Sequence, residues 1–449
     1  MQLKFKLLTL GLLLCGPLLL AETEDEIVVL EKKILNLSGW SENVSISSIN
    51  SSELNKLEAQ HPKQIFRRMP GVWISRGSGQ EHLTAMRSPI LTGPGACGSF
   101  LILEDGIPIR PSGFCNVNGL FETAFEISGG IETITGPASA RYGANAMHGV
   151  INVISKPITN NNNISTNIGP NGYKNFKTSL GNQSDWSLSA FAASNNGFRE
   201  QSGYDQQKLK MRSDFQFNSW KASLNMTLTN LNQETAGYIT GLNSYKDSNL
   251  NRRNLNPEAF RDANSQRLSL SLKRDEENGI SILSPYIRKN DMQFLQHFLP
   301  GTPVEENSHS SFGLLFKRLI KFENYALTTG LQIEMAEAEL TETQANALTT
   351  SSAFNNATRP QGKHYDYEVD SEVYALFIGL EDLYISDDLL LYSDLRAESI
   401  KYDYNNKMNS GNTREDGTTC GFGGCYYNRP DDRTDTYNEL SARAGIATD

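Results

Sequence analysis

Residues 220–229 read WKASLNMTLT, and apolar and polar side chains alternate along this stretch without a break. The apolar positions are Trp220, Ala222, Leu224, Met226 and Leu228. Successive side chains of a β-strand point to opposite faces of the sheet, so one face of this strand is apolar and the other polar. The stretch therefore predicts a strand that lies between an apolar and a polar environment.

The same alternation recurs at residues 186–190, 268–272, 312–316 and 325–335. Several alternating segments run past ten residues. Strands of globular proteins are usually about five or six residues long, whereas a strand tilted across a bilayer needs about nine to eleven. The pattern favours an antiparallel membrane β-barrel over a soluble β-sandwich, with roughly twelve strands from residue 163 onward.

The segments between these strands are alternately short and long. Short turns are predicted on one side at residues 183–185, 218–219, 276–279, 322–324 and 386–388. Long segments are predicted on the other side at residues 232–264, 341–367 and 405–436. Membrane barrels have short periplasmic turns and long external loops, so this parity supports the barrel independently of the strand pattern.

Composition excludes two classes of protein. The chain has 51 acidic and 41 basic residues and a net charge of −10, so no nucleic-acid partner is expected. The mean hydropathy is −0.44, and the only long apolar run lies at the N-terminus, which excludes a bundle of transmembrane helices.

The N-terminal run predicts export. Lys4 and Lys6 precede an apolar stretch from Leu7 to Leu20, the layout of a signal peptide that would span residues 1–21. A lipid anchor on Cys15 is the alternative, although Leu14 is bulky for a lipid-modification site.

Export leaves four cysteines in an oxidising compartment, and an even number predicts disulfides. Proximity in sequence pairs Cys97 with Cys115 and Cys420 with Cys425. The spacing and the scattered histidines predict no metal site, and no cofactor is expected. Motifs for phosphate, dinucleotide or nucleophilic chemistry are absent, so the chain is not expected to be an enzyme.

Three stretches before the strands carry a family resemblance. Residues 131–154 read IETITGPASARYGANAMHGVINVI, residues 103–109 read LEDGIPI and residues 64–72 read QIFRRMPGV. They resemble the plug domain of TonB-dependent outer-membrane receptors, although Ser88 departs from the Arg-Gly that the family usually has after Met86. The resemblance implies an α+β plug domain at residues 53–157, followed by the N-terminal part of a barrel at residues 163–449 in the bacterial outer membrane.

The resemblance also implies partners. Residues 22–52 would form a periplasmic segment whose residues 24–30 resemble the TonB box, although Glu26 stands where the family prefers Thr. A short extended segment of this kind pairs by strand addition with the energy-coupling protein TonB and its inner-membrane complex. The predicted coupling residues are Asp25, Glu26, Ile27, Val28 and Val29. Outer-membrane lipid would surround the barrel.

The implied function is active uptake of a scarce ligand, with a ferric siderophore as the first expectation and cobalamin or another nutrient as the alternative. A porin-like pore or a binding protein that does not transport is a further alternative, but an open pore has no use for a plug. External loops of the plug at residues 92–99 and 110–118 would meet the ligand, through Arg110, Phe114 and Asn116.

Size predicts an incomplete barrel. Twelve closed strands would give a backbone radius of about 12 Å, whereas a plug of this length needs about 17 Å. Plugged outer-membrane transporters have about 22 strands. We therefore expect an open curved sheet with an unpaired edge.

Overall fold

The computed structural model describes residues 45–93, 97–160, 162–182, 185–386 and 389–448. The predicted signal peptide, Cys15 and the predicted coupling segment 24–30 lie outside these residues. Among the residues described, no helix is both long and apolar enough to cross a membrane.

Two small sheets and several short helices form the first part of the chain, which we call the plug. Five strands lie in the spatial order β1, β6, β7, β4, β5, and β2 pairs with β3. The strands are β1 (Ser45–Asn50), β2 (Val72–Ile74), β3 (Thr84–Met86), β4 (Leu101–Glu104), β5 (Ile107–Pro108), β6 (Gly130–Thr135) and β7 (Gly149–Ile154). The helices are α1 (Ser51–Leu57), α2 (Pro62–Phe66) and α3 (Ser139–Tyr142), with 3-10 turns at Gly119–Glu122 and Phe125–Ile127.

Local sequence explains the tight hairpin and the close strand packing of the plug sheet. The β4–β5 hairpin turns at Asp105 and Gly106, whose φ angles of 52° and 78° match the type I′ turn that Asp-Gly favours. Gly149 begins β7 where a Cβ atom would lie 2.2 Å from the carbonyl oxygen of Ile134, so only glycine fits there. The plug core is apolar and fully buried, and it includes Phe66, Met86, Phe100, Ile102, Ile131 and Ile151.

The plug sheet also contains β1, an edge strand that pairs antiparallel with β6. Residues 45–50 fall within the part of the sequence assigned above to the periplasmic segment. Their pairing with β6 places the start of the folded plug sheet at Ser45 among the described residues.

Twelve antiparallel strands follow in simple sequential order, each paired with the next. They are β8 (Asn163–Ile168), β9 (Lys174–Asn182), β10 (Trp186–Asn195), β11 (Tyr204–Phe217), β12 (Trp220–Glu234), β13 (Phe260–Glu276), β14 (Gly279–Leu295), β15 (Val304–Lys321), β16 (Ala326–Gln344), β17 (Gly362–Ser386), β18 (Leu389–Asn406) and β19 (Arg433–Thr448). In the described part of the chain β8 and β19 are the two ends of the sheet and do not pair with each other. The predicted open sheet of twelve strands is confirmed.

The faces of this large sheet are inverted relative to a soluble protein. The outward side chains Ile287, Phe312 and Leu376 are 51%, 52% and 63% exposed. Polar side chains such as Lys208 and Arg267 point inward and are buried against the plug. An apolar outer band with a polar interior is the arrangement of a membrane barrel.

The strands run further than the alternation predicted, so the long loops shrink to residues 235–259, 345–361 and 407–432. Loop 345–361 contains helix α4 (Ala353–Thr358). On β16 the outward positions change from Met335 to Glu337 and Glu339, so both faces of the outer strand ends are polar. The alternation fades there although the ladder of hydrogen bonds continues, because backbone pairing does not require apolar side chains.

Candidate functional site

Buried ion pairs fix the plug to the inner face of β11 and β13. Lys208 lies 2.7 Å from a carboxylate oxygen of Glu126 and donates to the carbonyl oxygen of Thr123 at 2.7 Å. Lys210 lies 2.9 Å from a carboxylate oxygen of Glu104 and 3.1 Å from one of Asp105. These contacts join the hairpin and the 3-10 turns of the plug to the twelve-stranded sheet, which we call the wall.

Glu104 is the most connected of these carboxylates. Its carboxylate accepts hydrogen bonds from Lys210, from the Nε of Arg267 at 3.1 Å and from the backbone N–H of Ala124 at 3.3 Å. Burial alone would raise the pKa of Glu104, but the charges of Lys210 and Arg267 outweigh it and lower that pKa to about 2. The carboxylate is therefore ionised at any physiological pH and attracts both cations.

A second anchor lies further along the same sheet, on β16 and β17. Arg141, in α3, pairs with Glu381 of β17, and its guanidinium also donates to the hydroxyl of Thr328 on β16 at 3.3 Å. Thr328 in turn donates to Glu381 at 2.6 Å. The plug is thus attached to the sheet at two places along it.

The plug loop at residues 110–118, which we call the apical loop, contains the three residues predicted to meet the ligand. Arg110 is buried and makes its hydrogen bonds within the plug. Its Nε donates to Glu122 at 3.1 Å, and its Nη1 donates to the carbonyl oxygen of Cys115 at 2.6 Å. Cys115 is bonded to Cys97, and their Cα atoms are 4.4 Å apart. Arg110 therefore holds the apical loop in shape in this conformation.

Phe114 and Asn116 are placed differently from each other. Phe114 is partly exposed, and its ring meets the ring of His309 on β15 edge to face at 5.7 Å. Asn116 is buried; its amide nitrogen donates to the carbonyl oxygen of Phe114 at 3.3 Å, whereas its side-chain oxygen has no hydrogen-bond partner in the described chain. Of the three predicted contacts, Phe114 alone faces the space beside the wall.

Sequence reasoning missed another plug loop at residues 75–82. Its Ser78 hydroxyl accepts from the backbone N–H of Ala236 at 3.0 Å, and its Gln80 N–H donates to the side chain of Gln233 at 2.6 Å. Glu81 lies 3.0 Å from Arg261. These partners lie at the external end of the β12–β13 pair, so the loop belongs to the external side of the plug.

A wall of tyrosines faces the apical loop, and sequence reasoning missed it as well. The ring centroids of Tyr367 and Tyr404 are 5.1 Å apart, and those of Tyr365 and Tyr427 are 5.8 Å apart. The hydroxyl of Tyr402 donates to the carbonyl oxygen of Ser112 at 2.9 Å, which ties this wall to the plug. The available signal was the repeated Tyr-Asp-Tyr at residues 365–367 and 402–404, which puts two tyrosines on the same face of each strand.

The second disulfide joins Cys420 to Cys425 at the tip of loop 407–432. The tip packs on helix α4 of the neighbouring loop: the ring of Phe354 lies 5.4 Å from that of Phe422 and 5.7 Å from that of Tyr426. The two long loops are thereby joined above the tyrosine wall.

Arg429 organises the base of the same loop. It is buried and donates to the carbonyl oxygens of Asn409 at 2.6 Å, Thr413 at 2.7 Å and His364 at 3.1 Å, and its guanidinium lies over the ring of Tyr427 at 5.4 Å. A buried guanidinium with these contacts fixes the course of the loop.

These elements lie together at the external end of the sheet. In the described ranges, no group of three or more His, Cys, Asp or Glu side chains could hold a metal ion. The plug loops, the tyrosine wall and the joined external loops all lie at this end of the sheet, and we call this region the mouth.

Comparison with known proteins supports the division into a plug and a strand region. Residues 41–150 match the family described as TonB-dependent Receptor Plug Domain. The chain is similar to the ferric-catecholate import receptor Fiu from E. coli K12 in its open form, at 15% identity and a TM-score of 0.66 over 90% of this chain and 67% of that one.

Two further structures are similar over 90% of this chain. The ferric citrate transporter FecA in its unliganded form matches at 13% identity and a TM-score of 0.67, over 60% of its length. The ferric yersiniabactin uptake receptor FyuA from Yersinia pestis matches at 13% identity and a TM-score of 0.62, over 61% of its length. This chain therefore spans 60–67% of the length of these receptors.

The predicted resemblance is confirmed for the plug by the family match and for the strands by the shared fold. Residues 41–150 are a TonB-dependent receptor plug domain, and the chain as a whole has the fold of the plugged TonB-dependent receptors of the bacterial outer membrane.

Proposed function

We propose that this protein takes up a scarce ligand across the outer membrane by an energy-coupled rearrangement of its plug. The observation that carries the proposal is a folded plug attached to the inner wall by buried ion pairs at two places, through Glu104 and Arg141. A plug held by several buried ion pairs blocks free diffusion. Passage then requires work on the plug, which a passive porin does not.

Energy would enter through the segment at Asp25, Glu26, Ile27, Val28 and Val29, which we propose pairs with TonB by strand addition. This segment lies outside the described residues, and the proposal rests on its sequence. It precedes β1, which is an edge strand of the plug sheet with one paired neighbour, β6. A pull on the segment would therefore load the β1–β6 ladder first.

The ligand we propose is a ferric siderophore complex. Receptors of the same fold are described as importing ferric catecholate, ferric citrate and ferric yersiniabactin. In this chain the tyrosine wall and Phe114 offer aromatic faces at the mouth, which suit a bulky organic chelate. Arg110 and Asn116 would contact the ligand only after the apical loop changes conformation.

Growth of an iron-starved strain that depends on this protein tests the proposal. Single ligands are supplied in turn: a ferric catecholate, ferric citrate, a ferric hydroxamate and, in a cobalamin-requiring strain, cobalamin. Growth on a ferric chelate that also requires TonB supports the proposal. Growth on cobalamin alone would favour the alternative nutrient, and TonB-independent entry of all ligands would favour a pore.

A further inference from the structure

The outer face of the wall carries a groove of about 680 Å³ that crosses β12–β17. Sites for small molecules usually have volumes of about 300–1,000 Å³. The groove is lined mainly by outward side chains, so it lies on the membrane-facing side of the sheet and not on the side that faces the plug. A molecule held in this groove would therefore come from the membrane.

Two neighbouring rows of outward side chains form the groove. The strand register joins the lower row into an unbroken line of apolar side chains on β12–β16: Met226, Leu268, Ile287, Phe312 and Met335. The row two residues nearer the external side is polar on β13–β17 and consists of Gln266, Lys289, Ser310, Glu337 and Asp370. This change between adjacent rows marks the external edge of the apolar band that a membrane barrel presents to lipid.

Below the groove, the outward faces of β15 and β16 remain apolar. Leu314 is paired directly with Ile333, and Phe316 is paired directly with Leu331. An acyl chain that enters the groove can therefore continue along these two strands toward the centre of the bilayer.

The charges of the polar row are separated along the groove. Lys289 lies toward one end, 3.7 Å from Asp291, and both side chains are about half exposed. Glu337 and Asp370 lie at the other end directly opposite each other, and Asp370 is also directly opposite Asp403 on β18. Like charges directly opposite on neighbouring strands destabilise a sheet. A positively charged group beside Glu337 and Asp370 would remove this repulsion.

The spacing of these charges suits a zwitterionic head group. Neighbouring strands are about 4.8 Å apart, so the backbones of Lys289 on β14 and Glu337 on β16 are about 10 Å apart, with Ser310 between them. Both charged side chains are long enough to lean toward Ser310 and bring their charges within the length of one head group. Hydrogen bonds between oppositely charged groups are the strong ones, so each end of such a head group has a matching partner in the groove.

We propose that this groove binds a membrane phospholipid whose head group joins a phosphate to a primary amine, as in phosphatidylethanolamine. Lys289 and Ser310 hold the phosphate, Glu337 and Asp370 hold the ammonium, and the acyl chains lie on Met335 and the apolar side chains below it. A lipid without the amine leaves the two carboxylates facing each other and binds more weakly. The inference depends on the outer-membrane fold and not on which ligand enters the mouth.

Native mass spectrometry of the purified full chain in detergent counts bound lipids and tests the preference. Phosphatidylethanolamine is compared with its N-acetyl derivative, which keeps the chains and the phosphate but has no ammonium, and with phosphatidylglycerol. We expect phosphatidylethanolamine to bind at least ten times more tightly than either of the others. Equal binding of the three lipids, or tighter binding of one of the other two, would overturn the inference.

The double variant Glu337→Gln, Asp370→Asn tests the assigned amine site. It should bind phosphatidylethanolamine about ten times more weakly and should no longer distinguish this lipid from its N-acetyl derivative. Asp205→Asn is the matched control, because it removes an exposed carboxylate from the outward face of β11, outside the groove. Lys289→Gln should weaken the binding of both lipids alike, because both keep the phosphate. A double variant that still prefers the amine would contradict the assignment.

Thermal unfolding separates a lipid site from a purely structural role of the two carboxylates. The double substitution removes like charges that face each other, so without lipid the variant should melt at the temperature of the wild type or above it. Added phosphatidylethanolamine should then raise the melting temperature of the wild type by more than that of the variant. A lower melting temperature of the lipid-free variant would show that the carboxylates stabilise the sheet itself, and it would overturn the inference.

Discussion

Single buried side chains decide how the plug is attached. Glu104 sits at the end of β4 and bonds to Lys210 and Arg267, which lie on two different strands of the wall. In the sequence LEDG it adjoins the hairpin turn at Asp105 and Gly106, and Lys210 contacts Asp105 of that turn as well. Glu104 therefore joins the β4–β5 hairpin of the plug to strands β11 and β13 of the wall.

Glu104→Gln should weaken the plug's attachment to the wall. The substitution leaves Lys210 and Arg267 buried with less negative charge nearby, and removing one partner of a buried pair costs about 3–5 kcal/mol. Hydrogen exchange at β4 and β7 would measure the loss. Asp275→Asn is the matched control, because the pair of Asp275 with Lys221 is half exposed and worth less than about 1 kcal/mol. Equal effects of the two substitutions would contradict the assignment.

Two buried histidines in the plug are held neutral. His61 Nδ1 accepts from the Lys63 N–H at 3.1 Å, so its Nε2 donates to the carbonyl oxygen of Glu81. His82 Nε2 accepts from the Leu120 N–H at 3.3 Å, so its Nδ1 donates to the carbonyl oxygen of Gln80. Each ring therefore has one nitrogen facing a donor, and a proton added there would break that bond.

Acidification should therefore destabilise the plug. Burial lowers the pKa of His61 to about 3 and that of His82 to about 4, and nearby positive groups, Arg76 and Lys63 for His61 and Lys208 and Arg261 for His82, act in the same direction. Because the unfolded pKa is near 6.5, the unfolded chain takes up protons first. Stability is full above pH 6.5 and falls by about 2 kcal/mol for each histidine at pH 5.

Thermal unfolding of the protein in detergent between pH 7.5 and 5.0 measures this effect. His82→Gln should flatten the profile, because it removes one of the two titrating groups while keeping a polar side chain. An unchanged melting temperature over this range would show that the two histidines do not stay neutral in the folded plug.

At the scale of elements, the external loops behave as one unit. The disulfide tip of loop 407–432 packs on helix α4 of loop 345–361, and the backbone N–H of Tyr426 donates to the carbonyl oxygen of Thr358 at 2.9 Å. Arg429 fixes the base of the same loop to His364. The two loops therefore share a core of aromatic and hydrogen-bonded contacts although they belong to different strand pairs.

Replacing both Cys420 and Cys425 by Ser should expose the tip to proteases. Closing a loop of this length contributes about 2 kcal/mol in the chain-entropy account, which corresponds to a roughly thirtyfold larger open population. Limited proteolysis with mass mapping would show faster cleavage between residues 420 and 426. Reduced wild-type protein should behave like the double variant. Identical digestion of all three samples would mean that aromatic packing alone closes the tip.

At the scale of the whole molecule, the mouth lies at the external strand ends, whereas the proposed coupling segment precedes β1 in the sequence. The apical loop and the tyrosine wall face the external loops, whereas β1 follows the segment proposed to meet TonB. Under the proposed function, we therefore expect ligand binding at the mouth to be separable from energy input through the segment before β1.

Deletion of Ile27, Val28 and Val29 should abolish ligand accumulation and leave binding at the cell surface unchanged. The physical reason is that the proposed strand addition to TonB uses this segment, whereas the mouth is built from other, described residues. Parallel measurement of surface-bound and internalised ligand, once the growth panel has identified it, gives both quantities. Loss of surface binding in the deletion variant would refute the separation.

The sequence by itself determined the features that depend on neighbours along the chain. The alternation at residues 220–229 predicts strand, faces and membrane environment together, because its period of two is a local property. The Asp105-Gly106 pair predicts its turn for the same reason. The alternation of short and long segments predicts which connections lie on the external side. The strands extend further at their external ends than the apolar alternation does, so the sequence placed the ends of the long loops too early and too late.

Tertiary structure decided which side chains contact each other across long distances in the sequence. Arg141 pairs with Glu381, 240 residues away, and Lys208 pairs with Glu126, 82 residues away. Phe114 meets His309, and the tyrosines of β17 and β18 form one wall, only because strand register and the seating of the plug bring them to the same height. Strand periodicity fixes the face of the sheet on which a side chain lies, but it does not fix the partner that the side chain contacts. That partner depends on the register of every strand that separates the two residues and on the orientation of the plug.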